Sequence, residues 1–271
     1  MFRPFFLYIV MVCVFLGKLS CASPQCFLLS DLDKTLIQEG NCTERVSTCS
    51  TFKIPLSLMG FDAEILKDAN TPEWDFQDEY KTWNLAWTDK WAARYSPKLW
   101  MKNSCIWYSQ RLTPQLGEKL LQEYVDAFEY GNRNLLGDEG EGNGLTHSWL
   151  TSSLKISPLE QITFLRKLLK QELPVSLHAH QMTKDILFVG DLTEGWKLYG
   201  RTGSWNPKKN KILPDSRPGW FVGWVEKQGK VYIFAYLIMD KGDEKGPAGL
   251  RAKEQAIEKV KLFLQNLKPS S

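Results

Sequence analysis

Apolar and polar positions along the chain change rhythm twice. Two short apolar runs, residues 26–30 and 35–38, flank the polar Asp31-Leu32-Asp33-Lys34 and predict a β-hairpin. Residues 50–67 are apolar at helical spacing, with Pro55 close enough to the start for its missing N–H to be tolerated. Residues 70–95 are polar but hold Trp74, Trp83, Trp87 and Trp91 without a clean period, which predicts a loop with helical pieces. Residues 99–111 and 114–128 read as amphipathic helices. A further helix over 157–171 opens on Pro158 and gathers Ile162, Leu165, Leu168 and Leu169 on one face. The last third then turns to strands at 197–202, 219–227 and 230–239, the final two joined by a tight turn at Gln228-Gly229. An amphipathic helix over 250–267 closes the chain.

Strands at both ends with helices between predict an α/β fold of the α+β type. Its antiparallel sheet is assembled from N- and C-terminal segments and flanked by terminal helices, with a mostly helical part alongside. The sheet part is expected at about 23–49 and 195–271 and the helical part at about 50–194. Neither a repeat nor a linker divides them, so 23–271 is expected to be a single domain.

Composition adds a destination. The first 22 residues read as a secretory signal, with Arg3, an apolar run over 5–16 and Ser20-Cys21-Ala22 as the cleavage site, so the mature protein is expected to be periplasmic or secreted. Losing Arg3 and Lys18 lowers the formal charge from +3 to +1, which offers no footprint for nucleic acid or an anionic membrane. Export permits disulfides. Cys42 and Cys49 flank a short loop just before Ser50 and are the expected pair, Cys105 reads as a buried free thiol, and Cys26 is left open.

Candidate chemistry begins at Ser50-Thr51-Phe52-Lys53, where a hydroxyl and an amine three residues apart share a helix face. An ordinary lysine is protonated at neutral pH and cannot take the serine proton. Burial among Phe52, Ile54, Leu56, Leu58 and Met59 would have to leave it neutral or allow its conversion into another base. The spacing alone is weak, since Ser152 and Lys155 repeat it.

Three later segments accompany it: Ser104-Cys105-Ile106 on a predicted helix, Tyr130-Gly131-Asn132 at the end of the next, and Arg201-Thr202-Gly203 on a predicted strand. In order and spacing the four resemble the S-x-x-K, S-x-V, Y-G-N and K-T-G motifs of the class D (oxacillinase-type) serine β-lactamases. WYSQ at 107–110, Trp149-Leu150, LKISP at 154–158, LYGRTG at 198–203 and GWFVGW at 219–224 extend the resemblance over the mature chain.

The resemblance implies a fold shared with penicillin-binding transpeptidases and hydrolysis of the β-lactam ring of penicillins, giving antibiotic resistance. Ser50 would be acylated, and Lys53, carbamylated by CO2 as N6-carboxylysine, would be the general base, held by the Trp149 indole. Ser104 would relay a proton to the leaving nitrogen, and the backbone N–H groups of Ser50 and Ser204 would form the oxyanion hole. Arg201, Thr202, Gly203 and Arg251 would hold the substrate, with Ile106 and Leu150 gating water. CO2 or bicarbonate is the sole added group implied, no metal is expected, the partner is a small β-lactam, and a homodimer is left open. Ile106 and Arg201 depart from the family's valine and lysine, and a guanidinium cannot shuttle a proton at neutral pH.

Two other readings compete. FLLSDLDKTL at 27–36, with FVGDLTE at 188–194 and Lys184, is similar to a haloacid-dehalogenase-type phosphatase using Asp31 as nucleophile with Mg²⁺, but consecutive C-terminal antiparallel strands oppose that parallel-sheet fold. A penicillin-binding sensor or transpeptidase with slow turnover would share the acylation step. His178-Ala179-His180 has metal-ligand spacing, yet Met182 stands where a dinuclear zinc site wants an aspartate and His147 is the only other histidine.

Overall fold

The structure is a computed structural model, and it describes residues 26–83, 88–204, 217–240 and 246–267. The expected leader, 1–22, lies outside the described residues.

Near-continuous apolar runs build the central strands of the sheet. Strands β1 (Cys26–Ser30), β2 (Thr35–Gly40), β5 (Phe188–Asp191), β6 (Lys197–Ser204), β7 (Arg217–Lys227) and β8 (Lys230–Asp240) pair antiparallel in the order β2-β1-β8-β7-β6-β5. N- and C-terminal segments therefore meet in the middle of the sheet, as expected. Two short strands, β3 (Val46–Ser47) and β4 (Lys155–Ile156), form a separate pair. At the β7–β8 turn Gln228 and Gly229 both take left-handed backbone, φ 48° and 80°, which matches the twist of a two-residue hairpin.

The central strands are packed on both faces. Phe27, Leu29, Leu198, Phe221, Val225, Phe234 and Tyr236 pack against Ala252, Ala256, Val260 and Leu264 of the C-terminal helix α7 (Ala248–Gln265). The opposite face, with Leu28, Tyr199, Trp220, Val222, Trp224, Ile233 and Ala235, meets the helical part. That part comprises α1 (Lys53–Asp62), α2 (Pro97–Asn103), α3 (Ile106–Ala127), α4 (Gly144–His147), α5 (Pro158–Leu169) and α6 (Leu177–Ile186). Ser157 caps α5 through the Glu160 N–H while the Glu160 carboxylate accepts from the Ser157 N–H, a reciprocal box that fixes where this helix begins.

Three expectations need correction. The disulfide joins Cys26 to Cys42, with Cα atoms 5.1 Å apart, and Cys49 is a free, buried thiol. Antiparallel pairing is the cause: Cys26 stands opposite Gly40, so Cys42, just past the end of β2, arrives beside it. Second, residues 99–111 are not one helix; the chain breaks after Asn103, where Ser104 takes φ 58°, and restarts at Ile106. Third, the helix expected from Ser50 begins as a single 3₁₀ turn, Cys49–Phe52, and becomes α-helical at Lys53.

Candidate active site

Ser50 and Lys53 owe their positions to that turn. Cys49, directly before the serine, is held at φ 48°, a conformation that side chains other than glycine seldom adopt. The residues after it wind inward, leaving Ser50 8 % and Lys53 1 % exposed. Lys53 Nζ donates to Ser50 Oγ at 3.2 Å, and Ser104 Oγ donates to the same oxygen at 2.9 Å. Ser104 reaches it because its left-handed backbone projects the side chain from the break between α2 and α3. A serine in the middle of a continuous helix, as the periodicity suggested, would not be so placed.

β6 closes the third side. Alternation along the strand turns Arg201 toward the helical part together with Tyr199. Its guanidinium is 6 % exposed; Nε donates to the Ser50 carbonyl at 3.4 Å, Nη1 to the Met101 carbonyl at 2.5 Å, and Nη2 is buried without a partner among the described residues. Two residues on, a Cβ at Gly203 would stand 3.1 Å from Thr51 Cγ2 and 3.2 Å from the Thr48 carbonyl, so the end of β6 lies close against the 3₁₀ turn. Ser204 follows, its hydroxyl accepting from the Gly249 N–H at 2.9 Å.

Burial sets the electrostatics. Removal from water holds the Lys53 ammonium well below the ordinary lysine value, and the Arg201 charge pushes the same way. Burial also lowers Arg201, to about 10, so it stays charged at neutral pH. The Cys49 and Cys105 thiols are pushed up to about 12 by burial and remain protonated. A neutral amine hydrogen-bonded to a hydroxyl is thus the available base–nucleophile pair.

Trp149 packs against the turn that carries Ser50. It is fully buried and stacks on Phe52 with ring centres 5.3 Å apart. Ser47 Oγ fixes its segment by donating to the Trp149 carbonyl at 3.3 Å and accepting from the Thr151 N–H at 3.1 Å. The Trp149 indole Nε1 is buried and has no acceptor among the described residues.

Comparison with known proteins decides the family. The penicillin binding protein transpeptidase domain matches residues 28–260. Beta-lactamase OXA-9 of Klebsiella pneumoniae is 42 % identical over 246 residues, covering 89 % of each chain. Beta-lactamase OXA-1 of Escherichia coli is 37 % identical over 237 residues, covering 86 % of this chain and 82 % of its own. The crystal structure of the OXA-427 class D β-lactamase superposes with a TM-score of 0.81 at 41 % identity, over 89 % of this chain and 99 % of the other. The chain belongs to the class D β-lactamases.

In this class D chain the remaining motif residues divide by role. Tyr130, Gly131 and Asn132 build the frame: Asn132 Oδ1 accepts from the Lys155 N–H at 2.9 Å, its Nδ2 donates to the Ser153 carbonyl at 2.8 Å, and a Cβ at Gly131 would strike the Lys155 carbonyl. Ile106 and Leu150 are buried, at 5 % and 4 % exposure, and Thr202 is half-buried on β6. Arg251, in the first turn of α7, donates to the Asp240 carboxylate and the Gly246 carbonyl, so its guanidinium is already engaged between the end of β8 and the start of α7.

Sequence reasoning missed several supports. Gln161 Nε2 donates to Thr51 Oγ1, which donates to the Thr48 carbonyl and locks the nucleophile turn. Ser47, Met101 and Asp240 were missed too. Gln161 carries a legible signal, since an amide on the apolar face of α5 needs a buried partner; the others meet partners remote or unremarkable in sequence and carry none.

The competing readings come apart. Asp31 Oδ1 accepts from the N–H groups of Asp33 and Lys34 and so serves a surface turn. His178 bonds the Lys67 carbonyl and His180 the Leu168 carbonyl, and no group of three metal-ligating side chains occurs among the described residues. Nor, among those residues, is any helix long and apolar enough to cross a membrane.

Proposed function

We propose that this class D enzyme opens the β-lactam ring through an acyl intermediate on Ser50, with Lys53 as the proton acceptor in both halves of the reaction. The convergence of buried Lys53 Nζ and of Ser104 Oγ on Ser50 Oγ carries this reading. Ser50 attacks the lactam carbonyl and gives its proton to the base; the C–N bond breaks and Ser104 relays a proton to the departing nitrogen. The backbone N–H groups of Ser50 and Ser204 would hold the oxyanion, each worth roughly 10²- to 10³-fold in rate. Thr202, Gly203 and Arg251 would receive the substrate carboxylate, Arg251 by sharing its fork with Asp240.

A carbamate on Lys53 fits these residues. The buried, unpartnered Trp149 indole N–H is the donor such an anion requires, and the neutral amine is the form that reacts with CO2. Once present, the group would supply an anionic oxygen as the base. Family membership implies no metal cofactor. Residues 23–271 would act as one catalytic domain, exported to the periplasm or medium after loss of 1–22.

Purified protein should hydrolyse a chromogenic cephalosporin in the presence of EDTA and leave a phosphate ester intact with Mg²⁺. Cleavage of the ester without the lactam would overturn the reading. Stripping bicarbonate should lower turnover reversibly; indifference to bicarbonate would remove the carbamate.

A further inference from the structure

Ser50 holds two basic side chains rather than one. Lys53 Nζ binds its hydroxyl, Arg201 Nε binds its carbonyl, and both side chains are more than nine-tenths buried. Neither forms a hydrogen bond or ion pair with an Asp or Glu among the described residues. The groups acting on Lys53 are Arg201 from β6 and the Cys49 and Cys105 thiols, and Arg201 acts in turn on Lys253 of α7. A buried guanidinium with two nitrogens tied to carbonyls and a third, Nη2, left without a partner is a charge in want of an anion.

We propose that Arg201 is a positioning residue that serves as counter-charge to a carbamate on Lys53 and so strengthens the uptake of CO2 by this lysine. The inference rests on the carbamate reading above. In the step concerned, the Lys53 nitrogen lone pair bonds the carbon of CO2, one C=O π pair moves onto oxygen, and the nitrogen releases a proton to solvent. A neutral amine thus becomes an anion, and a fixed positive charge beside it favours both the unprotonated reactant and the charged product. Arginine suits the task better than lysine. Burial that brings a guanidinium down to about 10 leaves it charged, whereas an ammonium starting from about 10.4 would be driven toward neutrality at the same depth.

The test is ¹³C NMR of the full protein titrated with ¹³C-bicarbonate at fixed neutral pH without substrate, reading the carbamate resonance. Wild type should show it. Arg201→Gln, which keeps a donor but removes the charge, should need roughly tenfold more CO2 for half-occupancy, with Arg201→Lys between. Equal CO2 affinity in wild type and Arg201→Gln overturns the proposal. If the glutamine variant does not fold, Arg201→Lys decides: weaker uptake supports the proposal and unchanged uptake overturns it. No carbamate signal in wild type overturns the underlying reading as well, so the two failures are distinguishable.

Discussion

Two short segments of this chain carry residues that, as sequence, invite a catalytic reading: Asp31 to Lys34 and Ser50 to Lys53. The first is a surface hairpin turn in which the Asp31 carboxylate is consumed by the N–H groups of its own turn and Lys170 meets Asp33 in solvent. The second is buried, and beyond its local bonds its polar atoms receive partners from Ser104 at the α2–α3 break, from Gln161 of α5 and from Arg201 of β6. Reactivity follows from that difference. Water and local backbone leave Asp31 an ordinary carboxylate, lowered by its turn bonds, while dehydration makes Lys53 a base.

The comparison breaks first at Ser50. Ser50→Ala should lose lactam turnover by roughly 10³-fold or more; residual turnover near wild type in a steady-state assay would remove the nucleophile. Lys53→Met should lose turnover on a similar scale yet stabilise the fold in bicarbonate-free buffer, on the order of 1–3 kcal/mol by denaturant melts. The sign follows from the depressed lysine: the unfolded chain binds a proton there that the folded chain refuses, so burial costs stability at neutral pH. That cost fades as pH rises toward the ordinary lysine range, near about 10.4, and the advantage of methionine should fade with it. Turnover should be lost as pH falls through the folded lysine value, since protonation then competes with CO2.

Smaller effects sharpen the contrast. Cys26→Ser or Cys42→Ser should cost about 3 kcal/mol of stability while sparing turnover, and Cys49→Ser should not reproduce that loss. Trp149→Phe, which keeps the stack on Phe52 but removes the indole N–H, should lower bicarbonate-dependent turnover by roughly tenfold. Asp31→Asn should change stability by about 1 kcal/mol or less and turnover not at all.

Much of the frame was legible because it is local. The strand runs marked β6 to β8, Gln228-Gly229 marked their hairpin, and Pro158 with one apolar face marked α5. The site was legible only as four ordered motifs, and its geometry depends on features with no periodic signature. The left-handed backbone at Cys49 and Ser104, the bond from Arg201 to Met101, and the pairing of Cys42 with Cys26 instead of its nearer neighbour all arise from tertiary placement. The helix α6 was also hidden, since its polar residues read as candidate ligands before their bonds to nearby carbonyls were visible.

Intact-mass spectrometry of the protein quenched at intervals after mixing with a penicillin tests the central claim most directly. The account predicts an adduct of one penicillin mass within the first time points, mapped by peptide analysis to Ser50, that disappears as substrate is exhausted and outlives it when bicarbonate is withheld. An adduct on another residue, or hydrolysis at full rate with no adduct on Ser50 in wild type and undiminished in Ser50→Ala, would contradict it.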